Sequence, residues 1–245
     1  MARGRAHLRN APIVEALIDF RVLRKEEISA EAFANIGASI GAQYMKESSI
    51  QSIQARFGVD KGKMLETIQS HTEIGWRYRT ATEVAQFRID GFTFSKLAKY
   101  TTWEEISEEA FRLWKVYVNA AEPREVFRVA VRYINRMRLP SAPDLGEYLE
   151  APPQLPLPIP QTIRDFLCRV SVRDEKRNAS AVILQALEPR LDPNAITLLL
   201  DIDAFRDVTL APDDPALLAI FGELRELKNE IFFASIAEKT VEIYA

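Results

Sequence analysis

Apolar and polar residues alternate with a period of two from Ile13 to Val22. Val14, Ala16, Ile18, Phe20 and Val22 fall on one side, and Ile13, Glu15, Leu17, Asp19 and Arg21 on the other. The alternation predicts a strand with one core face and one mixed face. Between Ser29 and Tyr44 the period lengthens: Phe33, Ile36, Ile40 and Tyr44 share a stripe and predict a helix, which Gly37 and Gly41 weaken while allowing close packing. Residues 50–59, 76–80 and 83–89 read as strands, and Met64 to Gln69 fits no single type. Asp90-Gly91 predicts a tight hairpin whose return strand opens at Phe92-Thr93-Phe94, so the segment forms an antiparallel meander.

Thr102 and Glu105 have the spacing of a capping box and predict a helix start. Trp103, Ile106, Ala110, Trp114 and Tyr117 then line one face, an aromatic stripe suited to lying across a sheet. From Val126 to Leu139 the period of two returns. Phe127, Val129, Val131, Tyr133, Met137 and Leu139 share a face with Asn135 among them, and Arg128, Ala130, Arg132, Ile134, Arg136 and Arg138 share the other. Seven of the 13 prolines fall between residues 140 and 160, which forbids long regular structure and predicts a connection wrapping the surface, with one helical turn at 144–149. Strands are expected at 166–172, 179–187 and 196–204. A last helix opens at Asp214-Pro215 and runs close to Ala245, with Leu217, Ile220, Phe221, Leu224, Leu227 and Ile231 as its apolar stripe.

Strand, helix, strands and helix thus occur twice. The expected fold is α+β: two β-α-β-β-β-α-like units, 1–122 and 123–245, forming one compact domain. Its sheet is mainly antiparallel and curved, with long helices on one face. The repeat is one of element order, not of residues.

Composition narrows the class without naming a role. A net charge of −3 over 245 residues advertises no global field toward nucleic acid or an anionic membrane. The single cysteine, Cys168, excludes an intramolecular disulfide framework and fits a reducing, cytoplasmic setting; within Phe166-Leu167-Cys168 a buried, inert thiol is expected. The basic opening, Met1 to Arg9, has no following apolar stretch and reads as an arm rather than a secretory signal, and no apolar run approaches the ~18 residues of a membrane span.

Candidate chemistry centres on the two leading strands. If they meet at the middle of the sheet, Glu15 and Asp19 share a face with Arg128 and Arg132, near Asn135. Such a centre serves either as an ion-pair network fixing register or as a binding site on the open face. Arg136 and Arg138 extend the basic row, and with Arg77, Arg79 and Arg88 they would make a phosphate-binding surface; Trp76 and Tyr78 alternate with Arg77 and Arg79 and so face away from them, which weakens nucleic-acid binding. Asp201 and Asp203 stand roughly 7 Å apart on one strand face and are weak candidates for Mg²⁺. His7 and His71 come without a nucleophile pattern, and there is no Cys/His metal spacing and no Walker or dinucleotide fingerprint. An ordinary hydrolase, NTPase or redox enzyme is not expected, nor is a cofactor. The flank Glu223, Arg225, Glu226, Lys228 and Glu230 reads as the solvated side of the last helix.

Three segments carry a resemblance: Asn10-Ala11-Pro12-Ile13-Val14-Glu15-Ala16, Arg132-Tyr133-Ile134-Asn135-Arg136 and Leu200-Asp201-Ile202-Asp203. Together they resemble a family of uncharacterised prokaryotic proteins named for its sporadic distribution among genomes, over nearly the whole chain. The resemblance implies mobile genes, such as defence or toxin–antitoxin loci, and no established activity. The expected function is non-catalytic binding of a protein partner, with nucleic acid or a second copy as alternatives and no membrane association. Two competing expectations are a metal-dependent, phosphodiester-directed enzyme and a small-ligand sensor with a cleft between sheet and helices.

Overall fold

The alternation at the start of the chain becomes β1 (Ile13–Arg24), the middle strand of the sheet. The computed structural model describes all residues except 1–7, 25–27, 57–58, 61–62, 65–67, 98–99, 142–143, 189–191 and 193; of the basic arm, Met1 to His7 lie outside the described residues. The other strands are β2 (Met45–Arg56), β3 (Val59–Asp60), β4 (Lys63–Met64), β5 (Ile68–Arg79), β6 (Glu83–Arg88), β7 (Gly91–Leu97), β8 (Pro123–Pro140), β9 (Phe166–Asp174), β10 (Ala179–Leu187) and β11 (Ala195–Leu210). Helices are α1 (Gly37–Ile40), α2 (Trp103–Ala121), α3 (Ala216–Ser235) and α4 (Glu238–Tyr244). Nine strands among the described residues form one sheet in the order β2-β5-β6-β7-β1-β8-β11-β10-β9, every neighbouring pair antiparallel, and β3–β4 is a separate small ladder. The fold is of the α+β type.

The expected meeting of the two leading strands occurs. Leu17 stands opposite Arg132, Asp19 opposite Ala130 and Phe20 opposite Val129. One face of this pair is core: Ala16, Ile18, Phe20, Val129, Val131 and Tyr133 are buried. Aromatic packing ties both long helices to it. Phe20 stacks on Trp114 of α2 at 4.1 Å between centroids and meets Phe221 of α3 at 4.8 Å. Burial of side chains this large contributes about 1.5–3 kcal/mol each. One bond of the predicted capping box forms at the start of α2, the Thr102 side chain accepting from the Glu105 amide. Buried polar tips find acceptors: Trp114 Nε1 donates to the Pro212 carbonyl at 2.9 Å and the Tyr117 hydroxyl to the Arg88 carbonyl at 3.0 Å.

Several expectations need correction. Between Ser29 and Tyr44 there is no long helix, only a 3-10 turn (Ala30–Phe33) and the single turn α1, which ends at Gly41 with φ 107°. The stripe Phe33, Ile36, Ile40 and Tyr44 is nonetheless buried. Phe127 is exposed and Val126 takes the buried place, because a bulge lets Arg21 face Arg128 and then Val22 face Val126. Val14 is exposed at a second irregularity, between Ile13 and Glu15. The last helix breaks at the extended, buried Ile236 and resumes as α4. Ile236 bridges to Leu149, and the Ala237 amide donates to the Tyr148 carbonyl at 2.9 Å, so the break holds the proline-rich connection to the core. Cys168 is exposed, because β9 is the last strand of the sheet and carries exposed side chains along nearly its whole length.

Gly91, in the predicted hairpin, has φ 154°, and a Cβ there would lie 2.1 Å from the Phe20 carbonyl oxygen. Gly91→Ala is expected to destabilise the protein by more than about 1 kcal/mol in urea unfolding. A midpoint equal to wild type would show that β7 does not approach β1 this closely.

Candidate functional site

On the open face of the sheet, Asp19 gathers the charges of the central strands. It accepts from Thr93 Oγ1 at 2.5 Å, Arg88 at 3.2 Å and Arg21 at 3.2 Å, and Arg128 approaches to 3.6 Å. Arg88, itself buried, also bonds Thr93 at 2.8 Å and Asp90 at 3.1 Å. Arg128 continues to Asp203 at 3.0 Å, and Arg132 grips Asp201 with two bonds of 2.8 and 2.5 Å. Glu15 makes no ion pair among the described residues; the partner of Arg132 comes from β11 instead. Asp203 stands directly opposite Arg132, and Asp201 lies one pleat along the same face. Burial raises the Asp203 carboxyl above its ordinary value against the pull of Arg128 and Arg132.

The outer arginines are paired as well. Arg79 reaches Glu47 at 3.1 Å and Arg77 the same carboxylate at 3.7 Å; Arg136 meets Glu188 at 2.5 Å and Arg138 meets Asp192 at 2.5 Å. Each arginine of the row thus has an acidic partner, Arg77 and Arg79 sharing one, which reduces its attraction for phosphates. Asp201 and Asp203 serve as arginine acceptors. Among the described residues no three His, Cys, Asp or Glu side chains converge as a metal site requires. The acids and arginines of this face are paired with one another across the strands.

A different feature lies where the helix side of the sheet meets the chain's opening segment. A cleft of about 690 Å³ opens between residues 8–13, the start of α2 at Tyr100 to Glu104, Asn135 of β8, and Arg225 to Phe233 of α3. The opening segment is held in place by the Arg136 amide, which donates to the Pro12 carbonyl at 2.8 Å, and by the Asn10 amide, which donates to Tyr244 at 3.2 Å. Asn135, 2% exposed, donates to the Leu200 carbonyl at 3.0 Å. The first two segments of the resemblance therefore meet at this wall, and Asn135 ties the second to Leu200 of the third.

Lys228 lines the cleft and is only 6% exposed. Its Nζ sits 3.7 Å from the centroid of the Tyr133 ring and donates to Asn229 Oδ1 at 2.5 Å. No carboxylate pairs with it among the described residues. Burial, helped by the nearby charge of Arg225, pushes its pKa down to about 7. Below it the Tyr133 hydroxyl bonds that of Tyr100 at 3.3 Å, and burial holds both phenols above their ordinary range. Arg225 lies 5.6 Å over the Trp103 ring, with Glu104 at 4.0 Å. A wider hollow of about 1300 Å³ along the proline-rich connection has Asp144, Arg164 and Asp165 on its walls, all exposed, and lacks such a buried charge.

By residue type Lys228, between Glu226 and Glu230, reads as solvated flank, yet it is buried. The signal was its spacing: Leu217, Phe221, Leu224, Lys228 and Phe232 follow the helical period, and all five are buried. No family model matches the chain, and no curated protein matches it. Among the described residues no helix is long and apolar enough to cross a membrane.

Two expectations separate the face from the cleft. Asp19→Ala removes a half-buried acceptor from a buried arginine and should cost about 3 kcal/mol. Arg138→Ala breaks a pair whose arginine is 72% exposed and should cost less than about 1 kcal/mol. Equal, small losses in chemical unfolding would deny the network its structural role. Lys228 in the unfolded chain titrates near pH 10.4 but folded near 7. Between those values the unfolded state binds the extra proton, so stability rises with pH across the window. Lys228→Met should therefore stabilise the fold by several kcal/mol at pH 6, with the gain shrinking toward pH 10. A gain independent of pH would mean that the folded lysine titrates normally.

Proposed function

We propose that the protein binds a small molecule in the cleft around Lys228 and that its role is recognition rather than turnover. One observation carries this: a buried lysine, without a carboxylate partner among the described residues, lines a cleft assembled from the opening segment, α2, β8 and α3. Keeping such a group buried costs stability, and strongly perturbed ionisable groups in clefts mark functional sites more often than structural ones. Aromatic walls with a few polar groups are the usual make-up of small-ligand sites. The paired arginines of the open face speak against a nucleic-acid surface or a phosphodiester-directed enzyme there.

The proposal extends to the architecture. Each half has its first strand beside its last, β1 with β7 and β8 with β11, and the rest follow outward in reverse chain order. This supports a duplicated origin for units 1–122 and 123–245, with the long helices on one face. The resemblance to the sporadically distributed family adds a mobile-gene setting in the cytoplasm, where a ligand sensor would be at home. The outer edge of β9 favours a further, compatible role, contact with a protein partner by strand addition: the strand lies at the end of the sheet and exposes Leu167, Val170 and Val172.

Native mass spectrometry of the protein from its own cells should show a bound small molecule. Asn229→Trp, which fills the cleft, should lack it. A wild-type chain of bare mass, or equal loading of both proteins, would contradict the proposal.

A further inference from the structure

Lysine chemistry at this position can be taken one step further, resting on the cleft as the binding site. An ammonium over an aromatic ring gains from the ring's negative face, yet here no carboxylate among the described residues neutralises it, and the surroundings that remove water favour the uncharged amine. A neutral amine is a nucleophile toward carbonyl carbon. The cleft walls near it include the flat or apolar side chains Tyr100, Trp103, Phe232 and Phe233, and their make-up suits an aldehyde with a planar body.

We propose that Lys228 is the reactive amine of the cleft and condenses with the carbonyl carbon of a small aromatic or apolar aldehyde to hold it as an imine. The nitrogen lone pair forms the C–N bond while the carbonyl π electrons move to oxygen. Both protons of the amine nitrogen pass in turn to that oxygen, which departs as water as the C=N bond forms. The step consumes no oxidant or reductant and reverses on hydrolysis, as retention in a sensor requires. Tyr100, at the cleft wall, accepts from the Tyr133 hydroxyl, which leaves its own O–H to donate toward the departing oxygen.

The test uses the full chain with pyridoxal as probe, trapped by borohydride and mapped by peptide mass spectrometry. The exposed Lys115 and Lys176 serve as internal references. At pH 7 Lys228 should be modified at least about tenfold faster than either, since burial pushes its pKa down to about 7 and so keeps a large share of it as the free amine. Its rate should level off above about pH 8. The other charged or titratable groups around it, Arg9, Tyr100, Glu104, Tyr133, Arg225 and Glu226, come from every element that walls the cleft or packs against it. Lys228→Arg should abolish the fast site and leave the references unchanged. A Lys228 that stays unmodified, or whose profile parallels Lys115, overturns the amine chemistry. If Asn229→Trp still loses a retained molecule in that case, cleft binding stands without it; if no molecule is retained either, both fall.

Discussion

The pairing of β1 with β8 is the constraint on which the other elements depend. It is the seam between the strands that precede α2 and those that follow it, since β7 hangs on β1 and β11 on β8. The two faces of the seam are held by different physics. On the helix side Phe20 is clasped by Trp114 and Phe221, so burial of apolar surface fixes where α2 and α3 lie. On the open side Asp19 and Arg128 favour one register, because a two-residue slip would carry Arg128 away from this acceptor. Ion pairs of this half-buried kind add little net stability, but separating them is costly, and that asymmetry specifies alignment.

The cleft is a by-product of the same seam. Antiparallel pairing brings the start of β1 beside the end of β8, with Ile13 opposite Asn135. The segment entering β1 is thereby laid against Tyr133 to Arg136, under the flank of α3 that carries Lys228. The charged face and the cleft thus lie on the two sides of the same strand pair, a few residues apart.

Much of the fold could be read from local pattern. The hairpin at Asp90-Gly91, the capped aromatic helix α2 and the alternation along β8 each rest on short-range rules, and all three form. What escaped depended on contacts distant in sequence. The stripe from Phe33 to Tyr44 is buried as its spacing suggested, but Tyr44 is tied to Glu83 and Glu109 rather than into a helix, and Gly41 ends the turn. The bulge that expels Phe127 is a property of the β1–β8 pair and not of either strand. The acids expected to meet Arg132 were sought in the neighbouring leading strand, whereas β11 supplied them from the other side. Lys228 hid behind its charge, although its position in the helical repeat marked it as buried.

The β1–β8 register can be measured directly by nuclear Overhauser contacts between backbone protons of an isotope-labelled sample. Contacts joining Leu17 to Arg132, Ile18 to Val131 and Phe20 to Val129 are the expected result, with β1 touching β7 on its other edge. Contacts displaced by two residues, or joining β1 to any strand other than β7 and β8, would contradict the seam and with it the cleft built beside it.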